Sequence, residues 1–130
     1  MANPNIVSVT SIYGESIGEA LTGTVTTDIM TVAADKVVKI NSITVANTSA
    51  TVATLVTVAV LKTGFTSAGI GAAEDNAGTF HLAKVVSVPG SDVLVVLDKP
   101  IYLMTGDILE AGANPVTADI FISYEVIDDA

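Results

Sequence analysis

Short runs rich in valine, isoleucine and threonine recur along this chain, each closed by glycine, proline, asparagine, aspartate or serine. Nowhere do apolar residues settle into the three-to-four spacing of an amphipathic helix. β-Branched residues suit the pleated, half-buried surface of a strand, and the closing residues are those that accept turn geometry. The pattern restricts the chain to many short strands joined by turns. About eight strands at roughly ten-residue spacing predict an all-β fold, a two-sheet antiparallel sandwich of jelly-roll or related Greek-key type, with a closed barrel as the alternative. At 130 residues the chain has room for one domain, spanning 1–130, and neither a fixed-period repeat nor a linker divides it.

Slips in alternation carry further information. The run from Ile6 to Tyr13 reads as a first strand, and the small residues from Glu15 to Ala20 behind Gly14 read as a loop, with a single helical turn as the alternative. Between Gly23 and Val32 the alternation fails near Asp28, which predicts a bulge. In the run from Val38 to Asn47, Val38 and Ile40 share one face, and Ile43 and Val45 share one only if the register shifts at Asn41-Ser42. Leu55 to Leu61 is apolar on both faces and is expected to be a central strand covered on both sides. Val93 to Leu97, bracketed by Asp92 and Asp98, is expected to be buried as well. In the strand from Thr79 to Val88, Phe80 and Leu82 oppose His81 and Ala83, and Pro89-Gly90 then turns the chain. In Met104-Thr105-Gly106-Asp107, glycine accepts a positive φ and the aspartate side chain caps neighbouring amides. Residues 1–5 read as a flexible N-terminal segment, and residues 63–78, glycine-rich and without periodicity, as a long loop.

Composition then excludes several classes of function. Half the residues are hydrophobic and only 15% are charged, well below the roughly 25% of ordinary soluble domains, yet no apolar run approaches the about 18 residues that span a bilayer. Such a surface is expected to be partly buried against other chains, and no membrane role is expected. The five basic residues, all lysine, face fourteen acidic ones, giving a net charge of −9. That charge opposes nucleic acid, whose backbone is bound by cations displacing condensed counterions. It suits solubility through self-repulsion or a basic protein partner. The absence of cysteine excludes disulfides and thiolate chemistry and is compatible with assembly in a reducing cytoplasm. Met1-Ala2-Asn3-Pro4-Asn5 has neither a basic nor an apolar region, so no signal peptide is expected.

Residues able to carry chemistry are sparse. His81 is the sole histidine, mid-strand between Phe80 and Leu82, so no second imidazole can join it in a metal site or relay, and it reads as structural. Gly-x-Ser-x-Gly does not occur. Glu74, Asp75 and Asn76 could offer oxygens to calcium, but EF-hand spacing is absent and a solvated loop is the simpler reading. No acidic pair is singled out for glycoside hydrolysis, since sequence spacing does not set carboxylate separation. Asp128-Asp129-Ala130 reads as a frayed acidic tail, with contact to a neighbouring subunit's lysine as the alternative. No catalytic, cofactor-binding or metal residue is nominated, and neither enzymatic activity nor a cofactor is expected.

The segments Lys39 to Asn47, Val56 to Val60, Ile101-Tyr102-Leu103 with Gly106-Asp107, and the closing Ile122-Ser123-Tyr124-Glu125 together resemble small virion structural proteins of tailed bacteriophages. The resemblance covers about residues 30–127 as spaced strands and turns. It implies a non-enzymatic β-sandwich subunit of the virion, made in the host cytoplasm, with a capsid decoration or cement role favoured and a neck or tail component as the alternative. Its implied partners are other virion proteins, the major capsid protein first, and further copies of itself, with a trimer favoured. Residues 63–78 and the N-terminal segment are the candidate contact regions. A carbohydrate-binding sandwich is the remaining alternative, resting on Tyr13, Tyr102 or Tyr124, although aromatics make up only 5% and tryptophan is absent.

Overall fold

The computed structural model describes residues 11–24, 26–63 and 77–128, and every regular element among them is a strand. There are nine: β1 (Ser11–Ala20), β2 (Thr27–Thr31), β3 (Lys36–Asn47), β4 (Thr54–Thr63), β5 (Ala77–Val88), β6 (Val93–Leu97), β7 (Ile101–Leu103), β8 (Ile108–Asn114) and β9 (Ala118–Asp128). One sheet runs β1-β9-β3-β6, with β7 also on β3; the other runs β2-β8-β4-β5. The connectivity is that of one long hairpin. β1 pairs β9, β2 pairs β8, β3 pairs β6 and β7, and β4 pairs β5, all antiparallel. Wrapping that ribbon lays β9 on β3 and β8 on β4 and completes both sheets. This is jelly-roll topology, as the sequence predicts.

Nine strands appear where about eight were expected because one strand is interrupted. β7 pairs with Val38 to Ile40 and β6 with Ile43 to Ala46, so the two lie end to end along β3. Between them stands Pro100, which has no N–H to give a ladder. Both predicted slips are present: the β2–β8 register shifts between Asp28 and Met30, and the β3–β9 register between Ile40 and Ser42. The second keeps Ile40, Ile43 and Val45 on the inner face, none of them measurably exposed. Ile120 and Ile122 of β9, Val56 and Val58 of β4, and Leu109 of β8 complete the centre of the core. Each such aliphatic side chain contributes about 1.5–3 kcal/mol when fully buried.

Four expectations are corrected. Glu15 to Ala20 is strand, not loop: β1 holds ten successive partners on β9, and its small residues hide the alternation that would have marked it. β4 is central, but among the described residues no second sheet covers its other face, where Leu55 is 41% exposed, Thr57 and Leu61 are half-buried and only small Ala59 is fully buried. β6 is an edge strand with Val93 and Val95 exposed, so a run apolar on both faces is not buried on both. β5 does not alternate evenly: its register shifts twice, once past Leu82 and once between Ala83 and Val86, where Val85 takes a φ of 52°. The expected loop at 63–78 is also trimmed, since Thr63 ends β4 and Ala77 and Gly78 begin β5. Residues 1–10 and 64–76, with the N-terminal segment, Glu74, Asp75 and Asn76, lie outside the described residues.

A polar hub ties the loops together at each end of β3. At one end Asn47, 4% exposed, donates from Nδ2 to the carbonyls of Val52, Val88 and Pro89 at 2.7, 3.0 and 3.2 Å. Its Oδ1 accepts from Ser49 N at 3.0 Å and Thr117 Oγ1 at 2.9 Å. At the other end the predicted turn forms, with Gly106 at φ 87° and Asp107 Oδ2 accepting from Met104 N at 2.8 Å. The same Oδ2 lies 2.6 Å from Lys62 Nζ, and Thr105 Oγ1 donates to Lys36 O at 2.5 Å. Four elements are thereby fastened at one turn.

Candidate interaction surface

The register of the first sheet determines which side chains share its outer face. Val95, Thr44, Phe121 and Gly18 stand in one row across four strands; Val93, Ala46, Asp119 and Ala20 stand in the next. Val93, Val95 and Phe121 are 53%, 57% and 52% exposed. A Cβ on Gly18 would lie 3.2 Å from Phe121 Cδ1, so the ring leans over the glycine and its breadth rests on small neighbours. The result is an apolar patch on the outer face, with Asp119 in its second row and the Lys39–Glu125 ion pair, 3.7 Å apart, further along the same face. Alternation should put polar residues on a solvated face. Here β6 carries valine on both faces, and among the described residues no element covers the second.

On the outer face of the other sheet, Asp28, Glu110, Ala59 and His81 form a row across β2, β8, β4 and β5. Desolvation, and then the facing Asp28 carboxylate, push Glu110 above the usual carboxylate value of 4.5. His81 is exposed, and small Ala59 separates it from the carboxylates. Among the described residues, no group of three or more acidic or histidine side chains is placed to hold a metal ion. No helix among them is long and apolar enough to cross a membrane.

Between the sheets, beside β1, lies a cleft of about 260 Å³ lined by Tyr13, Glu15, Met30, Val32, Tyr124 and Val126 among others. Tyr124 donates to Glu15 Oε2 at 3.2 Å. Its phenol is held above the ordinary value of 10.0, first by burial and then by that carboxylate. The three tyrosines do not form one stacking platform. Tyr13 is half exposed at the cleft, Tyr124 is 8% exposed beneath it, and Tyr102 is half exposed on the opposite face of its sheet, paired with Lys39. Asp128 is not a frayed tail, since it ends β9 and pairs with Lys36 Nζ at 3.2 Å. The sequence reading missed Phe121, Val95 and Gly18. The signal available was the two-sided apolar character of Val93 to Leu97.

No family model matches the chain, and no curated protein matches it. Among solved structures it is similar to a chain in the crystal structure of the T13 IBDV viral particle, with 12% sequence identity and a TM-score of 0.49. The match covers 92% of this chain and 31% of that one.

Proposed function

We propose that this chain is a non-enzymatic structural subunit of a tailed-bacteriophage virion, a capsid decoration protein that seats the outer face of its β1-β9-β3-β6 sheet on the major capsid protein. The observation that carries the reading is the open apolar face around Val93, Val95 and Phe121, on strands patterned for burial. Apolar area of this kind on a soluble chain marks an interaction site. A jelly roll supplies a rigid platform for it, and repetition over a shell multiplies a modest contact into a large stabilisation. The acidic charge keeps unassembled subunits apart and soluble. Further copies of the chain are the other expected neighbours.

The test is to count copies of the protein on purified particles and to repeat the count with V95D/F121S. Hundreds of copies over the shell, lost in the variant while its strand content is retained, are the expected result. A copy number in the tens at one vertex or along the tail would move the role to neck or tail. Full occupancy by the variant would overturn the assignment of the face.

A further inference from the structure

Four strand lines form the edges of the two sheets, and three carry features that block further pairing. β2 is five residues long and bulged between Asp28 and Met30. β5 breaks register twice and exposes Lys84. The β6–β7 line is interrupted at Lys99-Pro100. Short edges, bulges, lysine and proline are the devices by which sheets avoid unwanted strands. β1 has none of these four: ten residues run in unbroken register with β9, without lysine, arginine or proline, and the protection it does carry is charge of one sign, Glu15 and Glu19 on its cleft-facing side. Among the described residues β9 is its one neighbour.

The two faces of β1 specify what can join it. Gly14, Ser16, Gly18 and Ala20 lie on the outer face and carry small side chains or none, with open space over Gly14 and the Phe121 ring over Gly18. Glu15 and Glu19, both exposed, lie on the other face beside Tyr13 and the inter-sheet cleft. We propose that β1 captures an extended segment of a partner protein as an added strand, with basic side chains opposite Glu15 and Glu19 and an apolar side chain directed at the cleft beside Tyr13. Backbone hydrogen bonds supply affinity in such an addition, and alternate side chains supply selection. A second copy is the poorer occupant. Antiparallel β1–β1 registers of greatest overlap that keep the small residues on one face set Glu15 opposite or diagonal to its own copy, in chains of net charge −9 each. This inference concerns the backbone edge of β1, which adjoins the apolar patch but does not depend on it, and stands whether or not the chain belongs to a virion.

The probe is the labelled octapeptide Lys-Thr-Val-Thr-Lys-Thr-Val-Thr, followed by anisotropy and by amide hydrogen exchange of the whole protein. Two further versions carry N-methyl groups on alternate amides, one set for each edge of the peptide. The octapeptide is expected to bind and to slow exchange across residues 11–20, and one methylated version loses binding while the other keeps it. E15Q/E19Q weakens binding about two- to thirtyfold, as two exposed ion pairs allow, with the fold's exchange pattern elsewhere unchanged. Equal binding of both methylated versions would mean charge adsorption and overturn the proposal, as would no binding of the octapeptide. A dimer in sedimentation with β1 amides already protected would overturn the choice of occupant.

Discussion

Asp107 offers the sharpest test of how this sandwich is held at one end. Its carboxylate is 2% exposed and accepts from Met104 N at 2.8 Å and from Lys62 Nζ at 2.6 Å. Removing one partner of a buried ion pair costs about 3–5 kcal/mol, because the remaining desolvated charge loses its nearest counter-ion. The lysine side chain retains 17% exposure, so part of its charge can be rehydrated and the lower end of that range applies. Asp107→Ala also strips Met104 N of its acceptor. A loss of about 3 kcal/mol is expected by urea denaturation. With about 2.1 cal/mol/K of unfolding entropy per residue over 130 residues, that is a fall of about 11 °C in Tm. Asp107→Asn keeps an acceptor for the amide and is expected to lose about half as much. In a double-mutant cycle with Lys62→Met, the pair should show a coupling of about 1 kcal/mol or more. A loss below about 1 kcal/mol for Asp107→Ala, or strictly additive single changes, would show that the turn is held by its backbone alone.

Three further outcomes follow from the geometry. Asn47→Ala removes five hydrogen bonds at the opposite end and is expected to cost about 2–4 kcal/mol, with faster amide exchange at Ser49, whose N–H loses its acceptor; unchanged exchange there would refute the hub. Gly90→Ala places a Cβ 2.8 Å from the backbone of Ala50 and Thr51, neither of which can swing aside, so a loss of about 1–3 kcal/mol is expected by denaturant titration. Glu110 has a folded-state value raised above 4.5, so its contribution is fully present below that pH and is lost as pH rises through the raised value. Glu110→Gln should therefore raise Tm by about 1–4 °C at pH 7 and by nothing below pH 4.5, as a like-charge cross-strand pair predicts; equal shifts at both pH values would point away from the Asp28 carboxylate.

Strand content, the two register slips and the Met104–Asp107 turn were legible in the chain because each is a local matter. Side-chain period, a break in that period, and a glycine followed by a capping aspartate all act within a few residues. β1 was illegible from Gly14 onward, because an edge strand with glycine, serine and alanine on its outer face carries too little hydrophobic contrast to register as alternation. The exposure of Leu55, Val93 and Val95 was also hidden, since an apolar side chain does not announce whether another sheet lies over it. The Lys62–Asp107 pair joins residues 45 positions apart, and the Asp28–Glu110 pair joins two strands far apart in sequence. Local chemistry thus determined what each segment of this protein is. Only the wrapping of the long hairpin decided which segments meet, because strand pairing is chosen by the burial of whole faces at once and not by any one run of residues.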